Sequence, residues 1–169
     1  MFADSDLIGY DPTIQTSPDG SMTITVKNMY AIKETLCASG MIRRRATICW
    51  RTERDDCDYA IKDSWVDSGR DTTKIQFLKK AEQCGVERVP CMVESKDLMV
   101  CGVNNTTNSH QLTFSRDNPS NNVFKLLENR VHRRLVLMPC TIPITHFMSK
   151  RELISVLIDI VESMFYSLF

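Results

Sequence analysis

A chain of 169 residues has room for one domain or a large part of one. Hydrophobic residues make up 43% and charged residues 25%, the proportions of an ordinary globular protein rather than a disordered or fibrous one. Twenty-one basic residues balance twenty-one acidic ones, which argues against a general nucleic-acid binder.

The opening residues, MFADSDLIGY, carry two acids and no basic run, so they do not read as a secretory signal. The longest apolar stretch, ELISVLIDIVESMFYSLF, is interrupted by Asp159 and Glu162 and reads as an amphipathic or buried helix, not a membrane span. The seven cysteines include no C-x-x-C, and none of the three histidines pairs with them. Zinc needs clustered soft ligands at short spacing, so no metal is expected. Free thiols in this number fit a reducing compartment, the cytoplasm or nucleus.

In chain order, residues 1–20 read as irregular and end in the turn signal SPDG. SMTITVKN alternates Met22, Ile24 and Val26 with polar residues, a strand pattern, and YAIKETL at 30–36 predicts a second strand. MIRRRATICWRT (41–52) is β-rich, ERDD (53–56) reads as a turn, and CDYAIKDSW (57–65) completes a hairpin. VDSGRD (66–71) reads as a loop. Phe77, Leu78, Ala81 and Cys84 recur at helical spacing, which predicts a helix over 72–84 stopped by Gly85. VPCMVES (89–95) and DLMVCGV (97–103) predict two short strands. Residues 104–122, rich in Asn, Ser and Thr, form a polar insert, and FKLLENR predicts a short helix. A strand follows over roughly 131–138. Ser149 and Glu152 then form a capping-box pattern at the start of a long apolar helix.

Alternation in a strand puts Ala60, Lys62 and Ser64 on one face, with Tyr59, Ile61, Asp63 and Trp65 on the other. A small residue two positions before a lysine suits a nucleotide site: Ala60 leaves room for a flat base, and the Lys62 ammonium can reach phosphates. Such a short match also occurs at the edge of an ordinary half-buried strand.

The segments DPTI (11–14), YAIKDSW (59–65), FLKKAEQCGVERVP (77–90), RVHRRLVLMP (130–139) and FMSKREL (147–153) occur in one order. Together they resemble the fungal-type protein kinase family, across nearly the whole chain. The resemblance implies an α+β fold: a protein-kinase-like amino-terminal lobe of antiparallel sheet plus one helix over 21–138, then a hinge and the first helix of a carboxy-terminal lobe over 139–169. It gives Lys62 a phosphate-binding role, with Ala60 under the adenine and Met138, Pro139 and Cys140 beside it at the hinge. ATP is the implied cofactor, bound weakly.

Three departures from the family pattern bear on activity. The family carries a G-R-G-T-like run whose glycines let backbone N–H groups approach phosphate; here the aligned residues are Arg44, Arg45, Ala46 and Thr47. The helix glutamate that pairs with the strand lysine is expected near 74–76, where Lys74, Ile75 and Gln76 stand. Glu82 lies roughly 9–12 Å further along the axis, which leaves Gln76 as a neutral partner for Lys62. No histidine-arginine-aspartate or aspartate-phenylalanine-glycine run occurs in the 169 residues. These departures predict a truncated or degenerate kinase domain, inactive alone. The other expectation is a non-enzymatic interaction module, docking a protein partner or a second copy through residues 150–169, with no nucleic acid and no membrane among its partners.

Overall fold

The computed structural model describes residues 11–39, 46–70, 73–87, 89–100, 102–110, 129–141 and 146–166, with side chains of the last segment described to residue 162. The predicted FLKKAEQ helix is present; the FKLLENR helix, the arginines of the RRRAT run and most of the polar insert lie outside the described residues.

Seven strands form one antiparallel sheet. In chain order they are β1 (Ile14–Thr16), β2 (Met22–Thr25), β3 (Met29–Ala38), β4 (Ile48–Arg54), β5 (Cys57–Asp67), β6 (Cys91–Asp97) and, last, β9 (Arg130–Met138). Between β6 and β9 lie the two-stranded ribbon β7 (Met99–Val100) and β8 (Val103–Asn104) and the short helix α2 (Thr107–His110). The spatial order β1-β2-β3-β4-β5-β9-β6 inserts β9 between β5 and β6.

Several boundaries differ from those expected. β1 falls inside the segment read as irregular, because Asp11 accepts bonds from Thr13 and orders the chain just before it. The loop read from residue 66 begins later, since Val66 and Asp67 pair with Val131 and Arg130. The single strand expected over 97–103 is two two-residue strands, and Gly102, at a φ of 77° that favours glycine, turns the chain between them. The start of the polar insert holds β8 and α2.

Helix α1 (Lys74–Gln83) has well-defined ends. At its start, Gln76 N–H donates to Thr73 Oγ1 at 3.4 Å, and Thr73 N–H donates to Gln76 Oε1 at 2.6 Å. At its end, Gly85 takes a φ of 65°, Gly85 N–H donates to Glu82 O and Val86 N–H to Ala81 O. This is the Schellman pattern, and it satisfies two carbonyls the helix leaves open. Helix α3 (Lys150–Tyr166) opens on half of the expected box: Glu152 N–H donates to Ser149 Oγ, but the Glu152 carboxylate reaches Met148 N–H instead of its cap residue.

The sheet curls around a core of Ile24, Val26, Tyr30, Trp50, Tyr59, Ile61 and Val136. Two buried polar clusters tie opposite ends of the curl together. In one, Glu94 of β6 accepts from Lys27 N–H, from the N–H and side chain of Asn28, and from Tyr30 Oη–H at 2.8 Å. Burial pushes its carboxyl up, but these donors outweigh it and hold Glu94 below the usual carboxylate range. Arg54 lies 3.5 Å from the same carboxylate and stacks its guanidinium over Tyr30 and Tyr59.

In the other, the fully buried Arg134 guanidinium of β9 grips Asp63 of β5 with two bonds, Nε–Oδ1 at 2.7 Å and Nη2–Oδ2 at 2.6 Å. It also donates to Asp11 Oδ2 at 2.6 Å and to Thr13 Oγ1. Removing one partner of such a pair strands a charge in the core, at about 3–5 kcal/mol. The exposed Arg51–Asp58 pair, at 2.7 Å, is the natural control, since surface pairs contribute about 0–1 kcal/mol. Asp63→Asn is expected to lower unfolding free energy in urea by about 3–5 kcal/mol, and Asp58→Asn by less than about 1 kcal/mol. Equal losses for the two variants would contradict this account.

Candidate functional site

Strand β5 carries the two halves of the structure on opposite faces. Tyr59, Ile61 and Asp63 point into the curl, where all three are buried. Ala60 and Lys62 point away from it and are half-buried. On that outer face lies a cavity of about 230 Å³ between β5, β9 and the start of α1. Its walls include Lys62, Ser64, Arg70, Lys74, Arg133 and Leu135.

The charge in this cavity is one-sided. Lys62, Arg70, Lys74, Arg130 and Arg133 line it, against the single carboxylate of Asp67. Asp67 Oδ1 already accepts from Gly69 N–H at 2.9 Å. Arg133 is held by the Asp97 carboxylate. Lys62 and Lys74 both line the cavity, and neither forms an ion pair among the described residues. Burial, and then the neighbouring Lys62 ammonium, holds Lys74 below the ordinary lysine value.

The residues expected to form the site fall into two groups. Lys62 stands in the cavity wall, directly opposite Leu135 of β9 and Cys49 of β4. Ala60 sits two residues along the same face, opposite Leu137, and is not in the wall. Met138 ends β9 opposite Cys91 and is 42% exposed. Cys140 follows the strand with its N–H donated to Asp58 O at 3.3 Å. Burial, then Asp58, pushes its thiol up.

Gln76 does not partner Lys62: its side-chain oxygen is engaged in the α1 cap. The charged residue that α1 brings to the same cavity wall as Lys62 is Lys74, a cation rather than a carboxylate. Ala46 has a φ of 36°, in the left-handed region that glycine enters without a steric cost. The backbone there keeps a conformation suited to the glycine expected at that position.

The buried face links the motif segments to one another. Asp63 is the register partner of Arg134, and Trp65 that of His132. The Trp65 and His132 rings stack with centroids 4.8 Å apart and planes within 8°. His132 Nε2 also lies 3.6 Å from Asp63 Oδ2. Asp11 and Thr13 complete the set. Thus DPTI, KDSW and RVHRR meet in one cluster.

A family model described as fungal protein kinase matches residues 1–169. The chain belongs to the fungal protein kinase family. No curated protein and no solved structure matched it. The curled antiparallel sheet with α1 is the α+β amino-terminal-lobe architecture expected for this kinase family. No helix among the described residues is long and apolar enough to cross a membrane.

Sequence reasoning missed Lys74 as a member of the site and Asp63, His132 and Arg134 as a cluster. The available signal was D-x-W on one predicted strand and H-x-R on another, each with the period-two spacing of a shared strand face. Lys74→Gln is expected to raise the melting temperature in a buffer free of multivalent anions, by relief of repulsion on the order of 0.5–1 kcal/mol. The gain should shrink as salt screens the pair. A variant less stable than the parent at low salt would count against the two-lysine geometry.

Proposed function

We propose that this chain is a nucleotide-facing kinase lobe that binds the polyphosphate of ATP weakly, does so without magnesium, and performs no phosphoryl transfer by itself. The observation that carries this reading is the pairing of Lys62 with Lys74 in one cavity. An active kinase joins its strand lysine to a helix glutamate, which fixes the ammonium against the phosphates. With a second lysine in that place, only an added anion can relieve the repulsion. A polyphosphate supplies that charge directly.

Magnesium fits the residues present poorly. It requires oxygen ligands, usually one or two carboxylates plus phosphate, and the lone carboxylate in the cavity, Asp67, is turned to Gly69 N–H. The adenine end also offers little. Ala60, Met138 and Cys140 stand outside the cavity walls, Pro139 has no N–H, and that of Cys140 is donated internally. Weak binding follows, with Kd on the order of 1 mM, or about −4 kcal/mol. The sequence holds no catalytic-loop aspartate motif to accept a hydroxyl proton.

Thermal-shift titration with ATP, in magnesium and in a chelator, tests the reading. A small stabilisation of similar size in both, lost in Lys62→Met, is expected. A large stabilisation that requires magnesium would overturn it.

A second reading is favoured by α3. Ile154, Leu157, Ile158 and Val161, at the spacing of one helix face, are each 47–57% exposed. Such a stripe suits docking of a protein groove or a second copy. Light scattering after size exclusion is expected to show self-association that Leu157→Lys abolishes; a monomer at high concentration, with no binding of an apolar dye, would count against it.

A further inference from the structure

Three side chains stand in one row across three strands. Cys37 of β3 is the register partner of Cys49 of β4, and Cys49 is the register partner of Lys62 of β5. Directly opposed residues of antiparallel strands share a face, with Cβ atoms about 4.5–5.5 Å apart. Register partners in regular antiparallel strands have Cα atoms about 4.5–5.5 Å apart, inside the range of about 4.4–6.8 Å that a disulfide spans; a register shift lies just before Cys37. Cys37 is exposed and Cys49 half-buried.

We propose that Cys37 and Cys49 are a reversible modification site that closes to a cross-strand disulfide, with a small disulfide such as oxidised glutathione as the oxidant. The exposed Cys37 thiolate attacks one glutathione sulfur, and a glutathione thiolate leaves. Cys49 then gives its proton to solvent and attacks the Cys37 sulfur, and the second glutathione thiolate leaves. Two cysteine thiols lose two electrons, and one glutathione disulfide gains them. Burial favours the protonated Cys49 thiol against the pull of Lys62 and Lys74, so the second step is the slower.

The bridge lies beside the phosphate-facing lysine and fixes the strand next to it. Closing the chain between residues 37 and 49 restricts the unfolded state and stabilises the sheet. Cys57 and Cys91 face Arg54 and Met138 across their strands, not another cysteine, and Cys84 caps a helix. They are internal controls for exposure alone.

The full chain is incubated with oxidised glutathione, the remaining thiols are alkylated, and non-reduced peptides are mapped by mass spectrometry. The expected main product is a Cys37–Cys49 cross-linked peptide, with a melting temperature several degrees above the reduced chain that dithiothreitol reverses. In Cys49→Ser, glutathione is expected to remain on Cys37. Cross-links spread evenly over Cys57, Cys84 and Cys91, or a wild-type chain whose Cys37 keeps glutathione while Cys49 stays reduced, would overturn the proposal.

Discussion

A guanidinium with no exposed surface must find its whole solvation shell inside the protein. Arg134 finds it in Asp63, Asp11 and Thr13, and the rest of the lobe is arranged around that requirement. Asp63 is the neighbour of Arg134 across the β5–β9 pair. Asp11 and Thr13 come from the far edge of the sheet, so meeting the guanidinium draws the chain before β1 over the core. Glu94 does the same from the opposite edge, reaching from β6 to the turn between β2 and β3. Apolar burial of Ile24, Tyr30, Trp50 and Ile61 drives collapse, but it is non-directional. The two polar clusters favour the one curvature in which every buried donor and acceptor has a partner, and no buried side-chain polar atom among the described residues lacks one.

The two-residue period of β5 keeps this frame apart from the chemistry. Asp63 and Trp65 engage Arg134 and His132, while Lys62, between Ile61 and Asp63 in sequence, points to the cavity on the other side. The outer face can therefore change without disturbing the core. The inner-face residues of the motif segments form one hydrogen-bonded network, and the outer face holds Lys62 and Lys74 in one cavity wall. The segments by which the family is recognised are, in this chain, largely those that hold the sheet together.

What could be read from the sequence follows the range of the interactions involved. Strand alternation in SMTITVKN and CDYAIKDSW is local, and the strands lie where it puts them. The α1 stop at Gly85 is local as well. The shared face of Ala60 and Lys62 needs only the period of a strand. Arg134 and Asp63 are 71 positions apart, and Arg134 and Asp11 are 123 apart, so neither pairing leaves a mark at short spacing. Lys74 was hidden for another reason. Its place in the same cavity wall as Lys62 depends on how α1 docks on the sheet, and the capping box at Thr73 and Gln76 takes the side chain that the sequence offered as a partner.

The ligand preference proposed for the outer cavity rests on its charge arrangement. A Lys–Glu pair is neutral, and a metal-nucleotide complex can be added to it with modest change in local charge. Like charges lining one wall repel, and solvent screens an exposed ammonium such as Lys74 in part. In the proposed reading, a cation would add to that repulsion, whereas a free polyphosphate would relieve it. Lys74 thus adds a positive charge to a wall that already holds Lys62, Arg70, Arg130 and Arg133, and the proposed preference for a bare polyphosphate rests on that excess.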